Sequence, residues 1–315
     1  MEFREHDLVL PPESAGLRFD QALARALPQY SRARLQQWIQ SGAVQVDGRS
    51  LRIKDKVLGG EKIRIRADLP PQERVYPEAL PIEVVFQDRA LFVINKPPGL
   101  VVHPGAGNSR HTLQNGLLAL DPKLALLPRA GLIHRLDKGT SGLLLVARSP
   151  EAYTGLNKAM AAREIAREYL AVCTGVMTAG GSVYEPIGRH RTQRTRMAVR
   201  ADGRRAVTHY RVVRRFRAHT QLRVNLETGR THQIRVHLSH LGFPLVGDSV
   251  YGGRRRIAAD CSPQLAAELR SFQRQALHAA RLQLRHPLSG RELAVEAAPP
   301  TDLQRLLTIL EADRP

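Results

Sequence analysis

Cysteine is almost absent from this chain. Cys173 and Cys261 are the only two among 315 residues. They form no Cys-x-x-Cys pair, which excludes a disulfide framework and a thiolate zinc cluster and points to a reducing compartment. Acidic residues are scarce as well: 29 Asp+Glu stand against 48 Lys+Arg, for a formal charge of +19. Such an excess is unusual for an enzyme of small metabolites and suits a polyanion. An Arg-rich proteome is the bland explanation, but the charge is clustered, which favours nucleic acid. No apolar run approaches the ~20 residues of a membrane helix. The opening "MEFREHDLVLPPESAG" lacks the apolar core of a signal peptide. Both observations predict a cytoplasmic protein with no membrane partner. No GxxxxGK[ST] occurs, so no phosphate-binding loop is indicated. "GDSVYGG" has Tyr251 where a nucleophile elbow needs its second glycine. His232, His237 and His240 in "THQIRVHLSH" lack HExxH spacing and a nearby acid, so no metal site is indicated. Read as a strand, that segment sets Gln233, Arg235 and His237 on one face, in a structural or RNA-facing role.

What is present organises into two domains, which the length allows. Residues 1–16 read as an N-terminal extension. Residues 17–66 form a compact basic unit with eleven Lys+Arg and four acids. Within it "SRARLQQWIQSG" predicts a helix, with Ser31 as its cap, Gly42 as its stop, and Leu35, Trp38 and Ile39 on one face. "AVQVDGRS" predicts a strand entering an Asp47-Gly48 turn, and "EKIRIRA" a half-buried strand. A basic helix face carrying Arg32 and Arg34 beside small strands suits an RNA-binding module, although many small domains have a solvated charged face. The order of elements resembles the S4 fold. Residues 67–81 hold four prolines and read as a linker. From residue 82 to 315, short strands, Gly/Pro turns and scattered helices predict an α+β domain with a mixed, largely antiparallel sheet.

One carboxylate stands out in "GLIHRLDKGTSGLLLVAR": Asp137, between Arg135 and Lys138. On its own this reads most simply as a turn residue before a buried strand. Arg135 lies two residues earlier, and alternation in extended chain puts both side chains on one face and His134 on the other. The segment from Arg189 to Arg217 is the most basic, with eleven Arg and one acid, Asp202.

The stretch "HRLDKGTSGLLLVA" resembles the signature of the RluA family of pseudouridine synthases. "INKPPGLVVHPG" (94–105), "REIAREYLAV" (163–172), "LETGRTHQIRVHLSHLGFPLVGDSVYGG" (226–253) and "QALHAARLQLRHPLSG" (275–290) resemble further motifs of that family, in family order. Together they cover most of residues 82 to 300. The resemblance implies that Asp137 is the catalytic carboxylate, that Arg230 is its ion-pair partner, and that Tyr169 stacks on the target base. It implies that Arg135 fills the space left by a flipped base and that His134 is a positioning residue. Arg191, Arg194, Arg196 and Arg204 would grip an RNA stem, with His232, Gln233 and Arg235 facing RNA. Isomerising uridine needs no redox step and no external group, so no cofactor and no metal are expected. With the S4 module, the resemblance narrows to members acting on large-subunit (23S) rRNA. The expected target is the loop of helix 69, a stem-loop with a flipped uridine, probed by a monomer during subunit assembly. The alternatives are other 23S uridines or a non-catalytic assembly factor. A metal-dependent nuclease fits poorly, because carboxylate clusters are missing. The family commonly has an acid at position 139, where this chain has glycine, so a looser catalytic turn is expected.

Overall fold

The computed structural model describes the chain except residues 1, 29, 31, 70–74, 106–107, 194, 254–256, 259 and 314–315. The chain divides into two compact units, Met1–Arg74 and Val75–Pro315.

The first unit begins with β1 (Glu2–Val9), followed by helices α1 (Phe19–Ala26) and α2 (Arg32–Gln40) and strands β2 (Val44–Val46) and β3 (Lys62–Leu69). The sheet order is β1-β3-β2, all antiparallel. Leu35, Trp38 and Ile39 of α2 bury against Phe19 and Leu23 of α1 and against Ile63 and Ile65 of β3, as the apolar spacing requires. Gly42 follows α2 with φ 75°, the left-handed stop that glycine favours. The capping role expected of Ser31 lies outside the described residues. Residues 1–16 do not form an extension, because half of them are an edge strand. Their acidity has a structural use: Asp7 accepts from Arg64 at 2.9 Å and Glu5 from Arg66 at 2.7 Å across the β1–β3 ladder.

The second unit opens with β4 (Glu83–Gln87), β5 (Leu91–Lys96), α3 (Leu113–Leu120), β6 (Ser141–Ala147) and α4 (Pro150–Ala162). It continues through β7 (Ala166–Thr174), β8 (Gly181–Val183), β9 (Ile187–Arg189), β10 (Met197–Val199), β11 (Thr208–Arg215) and β12 (His219–Leu226). It closes with α5 (Gln233–His240), α6 (Pro263–Ser271), β13 (Leu277–Arg285), β14 (Glu292–Glu296) and α7 (Thr301–Ala312). Nine strands form one sheet in the order β4-β5-β6-β13-β7-β12-β11-β8, with β14 also paired to β13. Only the β6–β13 pair is parallel. The α+β class and the largely antiparallel sheet agree with the sequence reading. β6, "SGLLLVA", is buried at every position, the pattern of a central strand covered on both faces. Gly142 at its start has φ 109°, and a Cβ there would stand 2.2 Å from the Ala279 carbonyl oxygen. Only glycine lets β6 and β13 approach this closely.

The residues read as a linker belong largely to the two units. Residues 67–69 finish β3. Val75 packs on the core of the second unit, and the Tyr76 carbonyl accepts from Asn115 Nδ2 at 2.9 Å.

Candidate active site

The segment Ile133–Asp137 runs extended toward β6 without joining the sheet. It is held by local bonds. Ile133 N donates to Leu145 O, and His134 Nε2 accepts from Leu145 N at 3.1 Å. That bond fixes the neutral ring, and burial, with the nearby charge of Arg167, pushes its pKa down to about 3. His134 is therefore a neutral positioning group for the chain that delivers Asp137.

The turn after Asp137 is braced on all sides. Thr140 N donates to Asp137 O at 3.0 Å. Lys96 Nζ donates to Lys138 O at 3.2 Å, and to Pro97 O and Leu100 O. Arg274 Nη1 donates to Gly139 O at 3.2 Å, and Gln275 Nε2 to Thr140 Oγ1 at 2.9 Å. The looser turn expected from Gly139 is not found. These partners hold the backbone directly, and a Cβ at 139 would stand 2.6 Å from Gln275 Oε1. Lys96 is fully buried, and burial pulls its pKa down to about 7. Its three carbonyl partners give its protons places to go.

A cavity of about 550 Å³ opens above Asp137, within the ~300–1,000 Å³ usual for small-ligand sites. Asp137, Tyr169 and Arg230 all line it, as do His134, Arg135, His232, Gln233 and Arg235. The ion pair assigned to Arg230 is made by another residue. Arg235 Nη1 donates to Asp137 Oδ2 at 3.0 Å, whereas Arg230 Nε donates to the Arg205 carbonyl at 3.0 Å. The reason is the local fold. "QIRVHLSH" is helix α5, not a strand, and its first turn aims Arg235 at the 135–139 loop. Arg230 precedes His232, whose φ of 58° turns the chain into the helix.

Arg235 is clamped in turn. Asp248 accepts from its Nε at 2.7 Å and its Nη2 at 2.9 Å, a bidentate pair. Burial opposes ionisation of Asp248, but the Arg235 fork and the amides of Val250 and Tyr251 outweigh it and hold the carboxyl below its ordinary value. Behind the pair lies Tyr251. Its oxygen accepts from Met197 N at 2.8 Å and shares a hydrogen bond with His232 Nδ1, also at 2.8 Å. His232 Nε2 faces Asp137 Oδ1 at 3.9 Å. Tyr169, on β7, is 5% exposed, and burial raises its pKa. It presents a neutral phenol ring to the cavity.

The remaining expected RNA contacts divide into three groups. Arg135 is exposed at the cavity, and Arg191 and Arg204 are exposed outside it, around the β9–β10 hairpin. Arg196 is half-buried, its guanidinium 5.3 Å from the Tyr251 ring centre. Arg194 lies outside the described residues. Gln233 does not face RNA. Its amide donates to Val207 O and Thr208 Oγ1, and its oxygen accepts from Thr228 Oγ1 and Arg230 N. All its hydrogen-bonding capacity is used inside the fold. Arg235 is likewise buried, not RNA-facing. In the first unit Arg32 donates to buried Asp20 at 2.8 Å and so fastens α2 to α1, while Arg34 is half-buried on α2.

Sequence reasoning missed Lys96, Asp248 and Tyr251. Each sat inside a quoted motif ("INKPPG", "GDSVYGG"), and a search for lone charges next to the signature would have found the first two. The pair geometry makes a direct prediction. Arg230→Ala keeps the Asp137–Arg235 pair and loses less than about 10-fold in turnover, whereas Arg235→Ala loses orders of magnitude more. Steady-state rates of the two variants decide it. Equal losses contradict the assignment.

A carboxylate lining a nucleotide-sized cavity, beside a neutral tyrosine ring and several arginines, suits an enzyme that acts on RNA. Residues 90–240 match the RNA pseudouridylate synthase pattern, and residues 17–63 match the S4 domain. The chain belongs to the RNA pseudouridylate synthase family and is a pseudouridine synthase. It is 50% identical over 305 residues to "Ribosomal large subunit pseudouridine synthase D" of Xanthomonas campestris pv. campestris, covering 97% of this chain and 92% of that one. It is 52% identical to the protein of the same name in Yersinia pestis, covering 95% and 92%. Among solved structures, human RNA Pseudouridylate Synthase Domain Containing 4 aligns with a TM-score of 0.57 and 27% identity, covering 73% of this chain and 93% of that one.

Proposed function

We propose that this protein isomerises uridines of large-subunit (23S) rRNA, in the loop of helix 69, during subunit assembly. The observation that carries the reading is the Asp137 carboxylate at the cavity, held in direction by the clamped guanidinium of Arg235. The names of its relatives support large-subunit rRNA as the substrate. The S4 unit and the basic hairpin support RNA as the polymer. Among the described residues no helix is long and apolar enough to cross a membrane. A monomer acting in the cytoplasm fits this reading.

The chemistry follows from the side chains. The flipped uridine enters the cavity, and Tyr169 stacks on the uracil, an interaction worth roughly 1–3 kcal/mol per base. Asp137 helps break the glycosidic C1′–N1 bond, whose electron pair stays on the uracil, and N1 later takes up a proton in place of the one that C5 loses. Tyr169 and the cavity walls retain the detached base while it turns. A C–C bond to the same sugar then forms at uracil C5, and the C5 proton leaves. Arg135, exposed at the mouth, takes the space of the extruded base. Because the C5 hydrogen is lost, rRNA fragments carrying tritium at uracil C5 must release tritium when treated with the purified protein. Release from helix 69 stem-loops supports the reading. Release only from other 23S fragments moves the target elsewhere.

The hairpin makes a second prediction. Arg191 and Arg204 reach phosphates, so Arg191→Ala and Arg204→Ala each flatten the salt dependence of binding by about one unit in log–log slope. Fluorescence anisotropy between low and moderate salt measures this. Unchanged slopes place the stem elsewhere on the protein.

A further inference from the structure

Arg167 is a buried cation that the reading above leaves unused. It lies on β7 two residues before Tyr169, so both side chains leave the same face of the sheet. It lines the same cavity as Asp137 and Tyr169 and is 7% exposed. Among the described residues no carboxylate or carbonyl accepts from its guanidinium, and its Nε is buried without a partner. The acids of the cavity are already engaged. Asp137 pairs with Arg235, and Glu227 with Arg163 and His209. A buried guanidinium without an anion is costly, and native proteins rarely keep one without a use.

The room for an anion is the cavity itself, which Arg167 lines together with Asp137 and Tyr169. Gly229 faces Arg167, and a Cβ there would stand 2.9 Å from Arg167 Nη1. Glycine at 229 lets the guanidinium pack closely against the chain beside Arg230. Two residues along a strand span roughly 7 Å. A base stacked on Tyr169 therefore brings its own sugar–phosphate backbone to Arg167. Uracil is neutral and cannot offset a buried positive charge. A phosphodiester can, and its two free oxygens match the guanidinium fork.

We propose that Arg167 is the receptor for the backbone phosphate of the flipped uridine, an inference that rests on the uridine-isomerase reading above. In the free protein Arg167 is an unpaired charge, and in the complex it anchors the nucleotide beside Asp137.

The test uses the full chain and a helix 69 stem-loop. Wild-type protein is first shown to convert a uridine in the unmodified RNA. If it converts only another 23S fragment, that fragment takes the stem-loop's place, and if it converts none, the reading on which the proposal rests is overturned. Arg167→Met then removes the charge and keeps the bulk. The expected result is a melting temperature equal to or above that of wild type, with RNA affinity weaker by roughly 10- to 100-fold. A structural arginine would give the opposite pattern, a lowered melting temperature with unchanged affinity, and that pattern overturns the proposal. A neutral methylphosphonate linkage on either side of the converted uridine identifies the ligand group. It weakens wild type by the same factor and leaves Arg167→Met unaffected. Additive losses show that Arg167 meets some other part of the RNA and overturn the assignment to phosphate.

Discussion

Asp137→Asn stops uridine conversion while leaving the RNA-binding surface in place. The expected loss in turnover is on the order of 10⁴-fold or more, the scale seen when a reacting group is removed from a preformed site. Asparagine matches aspartate in shape, so Arg235 keeps an oxygen to meet, and the braced turn from Asp137 to Thr140 is unaffected. The hairpin and the S4 unit are untouched. Single-turnover kinetics should show the loss in the chemical step. Anisotropy should show a dissociation constant within a few-fold of wild type. If conversion survives at a tenth of the wild-type rate, the carboxylate is not the reacting group.

Arg235→Leu is expected to have the second largest effect, and it acts on stability as well as rate. The Asp248 side chain is fully buried, and its two bonds to Arg235 offset that burial. Breaking a buried pair from one side typically costs about 3–5 kcal/mol. The dependence on pH follows from the direction of the Asp248 shift. Its pKa is held below the ordinary value in the folded protein. The pair therefore contributes stability above the unfolded aspartate value of about 3.9, and loses it as pH falls through the lower folded value. The gap in melting temperature between wild type and Arg235→Leu is thus full at neutral pH and narrows below about pH 4. Adding Asp248→Leu removes the stranded charge and restores much of the stability without restoring turnover. Thermal melts across that pH range test this, and a gap that does not change with pH contradicts it.

The sequence made some parts of this site legible and hid others, for physical reasons. Asp137 draws notice as a lone acid in a basic stretch, but that pattern alone reads as a turn, and the resemblance of "HRLDKGTSGLLLVA" to a family signature marks it as the site carboxylate. Tyr169 is marked by the resemblance of "REIAREYLAV" to a family motif, because its place in a strand alone fits a core tyrosine equally well. Arg235 could not be chosen over Arg230. Ile234, Val236 and Leu238 alternate with polar residues, the pattern of a half-buried strand. The helix that forms instead is enclosed on every side, so periodicity cannot mark a wet face. Its polar residues are satisfied internally: Gln233 and His237, one turn apart, both reach Thr208. The N-terminal strand was hidden too. "EFREHDLV" mixes charged and apolar residues without a clean alternation, and the use of Glu5 and Asp7 becomes visible only when Arg66 and Arg64 lie across from them. The linker reading draws its bounds too wide, because proline density marks irregular chain whether or not that chain packs on a domain, as Val75 does, while residues 70–74 lie outside the described residues.

The central claim is that Asp137 isomerises uridine in large-subunit rRNA. The most direct measurement is a pseudouridine map of that rRNA, by carbodiimide-blocked primer extension, from cells lacking this gene and complemented with wild-type or Asp137→Asn protein. The account predicts that helix 69 signals vanish in the deletion, return with wild type and stay absent with Asp137→Asn. Signals that persist without the gene, or that return with Asp137→Asn, contradict it.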